Sequence, residues 1–103
     1  MKKKVNKNIQ KIECLAKEVQ NLVDKEFQKI NYKLEPNSPL DQLGLQDGLN
    51  IIHEYTAVGE LGVALEHILY MVHETGIKLG KPSHELVFEL CKELQIFNNY
   101  LQE

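Results

Sequence analysis

The sequence contains no arginine, although it has twelve lysines. Arginine is the preferred side chain for bidentate contacts to phosphate and to guanine, so its absence argues against sequence-specific reading of nucleic acid. Long apolar runs are also missing, since none approaches the roughly 20 residues that cross a bilayer. These two absences predict a protein with no nucleic-acid partner and no membrane partner.

Cysteine is scarce as well. Cys14 and Cys91 fit neither a disulfide framework nor a metal-binding spacing. The lysine-rich start at residues 1–4 is followed by polar residues rather than by the apolar segment of an export signal. We therefore expect a cytoplasmic protein with free thiols.

Residue patterns for reaction chemistry are absent too. His53 and Glu54 would begin the His-Glu-x-x-His zinc motif, but Ala57 stands where the second histidine is needed. The sequence has no glycine-rich phosphate loop and no nucleophile elbow. Its only serines, Ser38 and Ser83, occupy positions typical of a turn and a helix cap. We predict that the protein is not an enzyme, holds no metal and needs no cofactor.

Charge is distributed unevenly along a chain that is otherwise ordinary for a globular protein. The chain has 103 residues and is 43% hydrophobic and 26% charged, which predicts one domain over residues 1–103. Residues 1–40 hold nine lysines and five acids, or +4, whereas residues 41–103 hold three lysines and ten acids, or −7. An acidic face attracts a basic partner. Acidic residues also serve solubility alone, and that alternative stays open here.

The first helix is predicted near residues 5–33, where apolar residues recur every three or four positions. A break near Asp24 is an alternative, and so is a coiled coil with a second chain, but we favour a stripe that covers the domain's own core. Pro36 and Pro39 cannot continue the helix. Residues 36–46 then form a connection, and we expect its leucines to pin it to the core. These leucines are Leu40, Leu43 and Leu45.

Three further helices are predicted near residues 47–58, 60–75 and 83–101, with Asp47 and Ser83 as N-caps and Gly59 and Gly76 as terminators. No segment shows the strict alternation of a half-buried strand. Four amphipathic helices must bury their stripes against each other, which predicts an all-α, small single-domain helical bundle with a long N-terminal helix. The residues expected in its core are Ile12, Val19, Ile52, Leu65, Ile68, Leu69, Leu90 and Leu94.

A candidate binding site lies on the outward side of the third helix. Glu66, Tyr70, His73 and Glu74 follow one another at steps that place them on one side of a helix. Tyrosine is a typical interface anchor, because it combines a large apolar area with a hydrogen-bonding tip. If the second and third helices form a hairpin, Glu54 and Tyr55 extend this group. The alternative is an ordinary solvated helix face.

The sequence from Gly59 to Glu66, Gly-Glu-x-Gly-x-Ala-Leu-Glu, follows an aliphatic helix at residues 49–52. This pattern resembles the MafI-type immunity proteins over residues 47–100, although Leu61 stands where that family usually has a bulkier or aromatic residue. Such proteins neutralise secreted toxin domains of bacterial polymorphic and contact-dependent growth-inhibition systems. The resemblance implies a cytoplasmic immunity protein that binds the C-terminal domain of a cognate toxin, which in many systems is a nuclease with a basic cleft. The expected toxin-binding residues are Glu54, Tyr55, Glu60, Glu66, Tyr70, His73 and Glu74.

A second hypothesis comes from a different class of protein. The long first helix could pair with a second copy or with another coil, which would make the protein a self-associating helical adaptor. A homodimer is the simplest form of that alternative.

Overall fold

A computed structural model describes residues 7–96 of the chain. Four helices occur in this range: α1 (Lys7–Lys29), α2 (Gly48–Ala57), α3 (Leu61–Thr75) and α4 (Lys81–Leu94). The same residues include no strand, so the predicted all-α bundle with a long first helix is confirmed. None of these helices is both long enough and apolar enough to cross a membrane.

Helix α1 packs against the other three helices along one continuous apolar stripe, without a break near Asp24. It ends at Lys29, four residues before the predicted end. Asn31 and Tyr32 adopt the left-handed conformation with φ of 53° and 60°, and the Tyr32 N–H donates to the Phe27 carbonyl over 2.9 Å. The Tyr32 ring also stacks on that of Phe27 at 6.0 Å. The chain therefore turns before it reaches the prolines.

The connection after α1 only partly follows the prediction. Leu40 and Leu45 are buried and hold it on the core, but Leu43 is 92% exposed. The expectation that all three leucines pin the connection is therefore wrong for Leu43. Its two neighbours are sufficient to seat the segment, which leaves the Leu43 side chain projecting from the surface.

Helices α2 and α3 form a tight hairpin. Gly59 ends α2 with φ of +81° and Gly76 ends α3 with φ of +71°, both in the left-handed conformation that was predicted for them. At the other end of the hairpin, a Cβ on Gly48 would lie 2.4 Å from Sδ of buried Met71. Only glycine lets α2 begin this close to α3 with Met71 in its present position.

Both ends of α4 differ from the prediction. Gly80 is the N-cap and Pro82 lies in the first turn, where its missing N–H costs nothing. Ser83 is therefore inside the helix, and its hydroxyl donates to the Glu18 carboxylate on α1. The helix stops at Leu94 because Gln95 is left-handed with φ of 57°, so the predicted extension is wrong at residues 95 and 96. Residues 97–101 lie outside the described residues.

The predicted core is confirmed at seven of its eight positions. The buried seven are Ile12, Val19, Ile52, Leu65, Ile68, Leu69 and Leu90. Leu94 is only half-buried, because it occupies the last residue of α4. The α1 stripe thus covers this domain's own core, which was the favoured alternative.

Candidate functional site

The connection, α2 and α3 together present an acidic surface without lysine. Six carboxylates and no lysine occur between residues 41 and 77. None of the six forms a salt bridge with a lysine of residues 7–96, because the lysine salt bridges found there use Glu26, Glu89 and Glu93. We call this region the acidic surface. Its carboxylates are Asp41, Asp47, Glu54, Glu60, Glu66 and Glu74.

All seven residues predicted to bind the toxin lie outside the buried core, but they do not form one cluster. Glu54, Glu60, Glu66 and His73 are exposed, Tyr55 is 36% exposed, and Tyr70 and Glu74 are half-buried. Only Tyr55 and Tyr70 line the shallow groove of about 460 Å³ between α2, α3 and the connection. The other five do not line this groove.

Tyr70 positions the connection. Its hydroxyl donates to the Leu43 carbonyl over 2.6 Å, and its ring lies against the His67 ring at 5.3 Å. Burial, with a smaller effect from the Glu74 carboxylate, raises the pKa of the Tyr70 hydroxyl above its usual value. The hydroxyl therefore keeps its proton and remains a donor. Tyr70, the tyrosine predicted as the interface anchor, thus uses its hydroxyl within the protein.

His67 holds the next carbonyl of the connection. Its Nε2 atom lies 2.9 Å from the Gly44 carbonyl oxygen, and because a carbonyl can only accept, Nε2 must carry the proton. Gly44 has φ of +80°, and a Cβ at this position would lie 2.9 Å from Cε1 of His67. Glycine is required here for both the backbone conformation and the close contact.

Gln20 on α1 holds the third carbonyl and also caps α2. Its Nε2 atom donates to the Leu45 carbonyl and to Oδ1 of Asp24, each over 2.9 Å. Its Oε1 atom accepts the Leu49 N–H over 2.8 Å, which satisfies a first-turn amide of α2. Asp47 occupies the predicted N-cap position, but its side chain makes no capping bond to the described chain. Gln20 of the neighbouring helix α1 makes the capping hydrogen bond instead.

Three consecutive carbonyls are thus held by side chains from two helices. Leu43 and Gly44 are bound from α3, and Leu45 is bound from α1. Leu43 projects from this fixed backbone between two grooves. One is the groove between α2, α3 and the connection, and the other, of about 440 Å³, lies on the side of Phe27 and Leu34. The two grooves share Leu43, Gly44 and Asp47 as lining residues.

Sequence reasoning missed Gln20 and His67, and it assigned Leu43 to the core. Gln20 did leave a signal, because it falls on the apolar stripe of α1, four residues after Ala16 and three before Val23. A polar residue on such a stripe indicates a buried hydrogen-bonding role. His67 and Leu43 left no comparable signal, since their roles depend on how the connection folds back onto α3.

A second polar cluster joins α1 to α2 away from the groove. His53 Nδ1 lies 2.7 Å from Oε1 of Glu13, and the Thr56 hydroxyl donates to Oε2 of the same carboxylate over 3.0 Å. Only one carboxylate and one histidine meet here. Across residues 7–96, no three His, Cys, Asp or Glu side chains are grouped so that they could hold a metal ion.

Comparisons with known proteins find no match: no family model matches the chain, and no curated protein or solved structure matches it significantly. The resemblance to MafI-type immunity proteins therefore stays a hypothesis. What the molecule offers toward a function is the acidic surface and the fixed connection within it.

Proposed function

We propose that the protein is a cytoplasmic immunity protein of the MafI type, which binds one cognate secreted toxin domain and blocks it. The observation that carries the proposal is the acidic surface, with six carboxylates, no lysine and an exposed tyrosine, Tyr55, among them. Two of these carboxylates, Glu60 and Glu66, belong to the sequence pattern at residues 59–66 that led to the family resemblance, whereas Ala64 and Leu65 of that pattern are buried in the core.

Carboxylates on a rigid helical hairpin suit a toxin that acts on nucleic acid. Such a toxin needs a basic cleft for its substrate, and the acidic surface presents negative charge in place of phosphate. Charge complementarity accelerates association, and close packing afterwards holds the complex together. Inhibition then follows from occupation of the toxin surface, and the immunity protein makes or breaks no bond.

The alternative, a self-associating adaptor, draws less support from the fold. The coiled-coil version of this hypothesis needs an apolar stripe on α1 that faces a partner helix. Residues such as Ile12, Val19 and Val23 are instead fully buried against α2, α3 and α4. Light scattering on the purified protein distinguishes the two hypotheses, because the immunity protein needs no second copy.

The first experiment is co-purification with the C-terminal domain encoded directly upstream of this protein's gene, followed by binding kinetics at low and high salt. We expect a complex whose association rate falls as salt rises, because charge steering is screened over roughly 8–10 Å at physiological ionic strength. Growth of cells that express the toxin domain gives the functional readout, since the protein should restore it.

A charge reversal locates the surface. Glu66→Lys should lower the association rate several-fold, because it places positive charge against a basic partner. Glu85→Lys is the matched control, since Glu85 is an exposed acid on α4 and receives the same change in charge. If both variants bind and protect like the parent, and the association rate ignores salt, the acidic surface is not the binding site. If the upstream domain is not bound and the protein is a dimer, the adaptor hypothesis replaces this one.

A further inference from the structure

We propose that Leu43 is the apolar anchor of the complex and that the partner carries a small apolar socket rimmed by lysine or arginine. This inference rests on the proposed function, because it describes the toxin domain that the acidic surface binds. In this proposal the interface with the toxin domain is centred on the connection and not on the outward side of α3.

Leu43 stands out from the connection by its exposure. Leu43 is 92% exposed and is the most exposed large hydrophobic residue in the described part of the chain. The leucines on either side, Leu40 and Leu45, are buried. The exposure of Leu43 therefore does not come from a segment that has lost contact with the core. Its neighbours seat the backbone, and Leu43 alone points outward.

Hydrogen bonds hold the backbone at and after Leu43. The carbonyl of Leu43 itself accepts the Tyr70 hydroxyl, and the next two carbonyls accept His67 and Gln20. A side chain on a backbone that is already fixed loses less conformational freedom when it binds than one on a mobile loop. A side chain contributes most to the binding free energy when it enters a fully desolvated pocket on the partner. The connection thus presents Leu43 in a conformation ready for binding.

Shape and charge identify the occupant. Leu43 separates two grooves, and Asp41 lines one of them while Asp47 lines both. Basic side chains around an apolar socket would enter these grooves as Leu43 enters the socket. Tyr55 and Tyr70 line the groove on the α2–α3 side and offer aromatic rings to such cations.

A second copy of this chain does not fit the same site. Two copies that met at Leu43 would bring Asp41 and Asp47 against the same two carboxylates of the other copy, with no lysine among the residues that line either groove. Like charges set against each other across an interface oppose association. The occupant is therefore a basic protein domain.

The test measures binding of the upstream toxin domain to three single variants and one double variant. Leu43→Ala should raise the Kd at least tenfold, mainly through faster dissociation, because the anchor acts after encounter. Its melting temperature should match the parent, since the side chain packs against so little of this protein. Val58→Ala is the matched control: Val58 is 72% exposed at the opposite end of α2, and its truncation should leave the Kd unchanged.

Tyr70→Phe tests the positioning role. It keeps the ring and removes only the hydrogen bond to the Leu43 carbonyl, so amide exchange at residues 43–46 should accelerate and the Kd should rise by less than for Leu43→Ala. If Tyr70 acts through Leu43, adding Tyr70→Phe to Leu43→Ala should cause no further loss of affinity. Additive losses would show that Tyr70 does not act through the anchor.

The outcomes separate this inference from the proposed function. A parent protein that binds the toxin domain, with Leu43→Ala binding equally well, overturns the anchor and leaves the proposed function standing. A parent protein that does not bind overturns both. Equal losses for Leu43→Ala and Val58→Ala overturn the anchor as well, because exposed apolar area in general would then explain the effect.

Discussion

Replacing Gln20 with alanine should destabilise the protein strongly, because this one side chain joins three parts of the fold. It is 7% exposed and makes three hydrogen bonds: two link α1 to the connection and to the first turn of α2, and the third joins Asp24 within α1. Alanine removes all three bonds and leaves the Leu49 N–H and the Leu45 carbonyl without their partner. The truncation also leaves a space between α1 and α2.

The expected loss follows from these contacts. A hydrogen bond contributes about 1 kcal/mol net, and a buried group left unsatisfied costs about 1–3 kcal/mol, so Gln20→Ala should cost about 2–4 kcal/mol. The lower end of this range applies if water reaches the Leu45 carbonyl. For a domain of this size the loss corresponds to a fall of roughly 10–25 °C in the melting temperature.

Gln20→Glu adds a dependence on pH. The introduced carboxylate still accepts the Leu49 N–H, but its second oxygen faces the Leu45 carbonyl and the Asp24 carboxylate, so the folded state should raise its pKa. Because the folded state then holds the proton more tightly, the variant should approach the parent near about pH 4 and lose stability relative to it as pH rises above this ordinary glutamate value. Recovery at low pH stays incomplete, since a carboxyl donates one hydrogen bond where the amide donated two.

Urea unfolding followed by circular dichroism measures both effects. Gln10→Ala is the matched control, because Gln10 is an exposed glutamine on the same helix and undergoes the same change in helix propensity. Each variant is compared with the parent at the same pH, which cancels the titration of acids that do not contact residue 20. A loss below about 0.5 kcal/mol for Gln20→Ala, equal to that of Gln10→Ala, would refute the reasoning, because surface substitutions fall in this range.

Three other predictions concern the core, the thiols and metal binding. Leu65→Ala should lower the free energy of unfolding, measured in urea, by about 2–5 kcal/mol, because it removes buried apolar atoms and leaves a cavity. A change below about 0.5 kcal/mol would mean that residue 65 faces solvent. A maleimide should label exposed Cys14 quickly and buried Cys91 only after unfolding, and equal labelling of both thiols in the native state would contradict this. Burial raises the pKa of the Cys91 thiol, so the free energy of unfolding should also fall as pH rises above about 8.5. A chelator should leave the melting temperature unchanged, and a large fall would reveal a set of metal ligands.

Local sequence patterns predicted the helices well because each helix carries its own apolar stripe. Val19 and Leu65 fall on such stripes, and both are fully buried. The role of the glycines that end α2 and α3 was equally predictable, since a glycine in the left-handed conformation can end a helix by itself. The fold class could be predicted from patterns among residues that are close together in the sequence.

The remaining features depend on contacts between distant parts of the chain. The ends of α1 and α4 are set by Tyr32 and Gln95, two residues that rarely adopt the left-handed conformation. Gln20 caps a helix that begins 28 positions later in the sequence, and a Cβ on Gly48 would collide with the present position of the Met71 side chain. No local pattern encodes such pairs. The position of the connection on α3 depends on the same kind of contact, which is why the exposure of its central leucine could not be predicted.

The acidic surface also determines how its contacts can be mapped chemically. Residues 34–77 contain neither lysine nor arginine, so trypsin releases the whole surface as one peptide that ends at Lys78. Amine-directed cross-linkers and fluorophores cannot attach between these limits, and immobilisation through lysine leaves the surface untouched. A carbodiimide acts in the opposite way, because it activates the carboxylates of this surface toward amines. Any lysine other than Lys78 that is joined to this peptide through an activated carboxylate must therefore come from a partner or from another part of this chain.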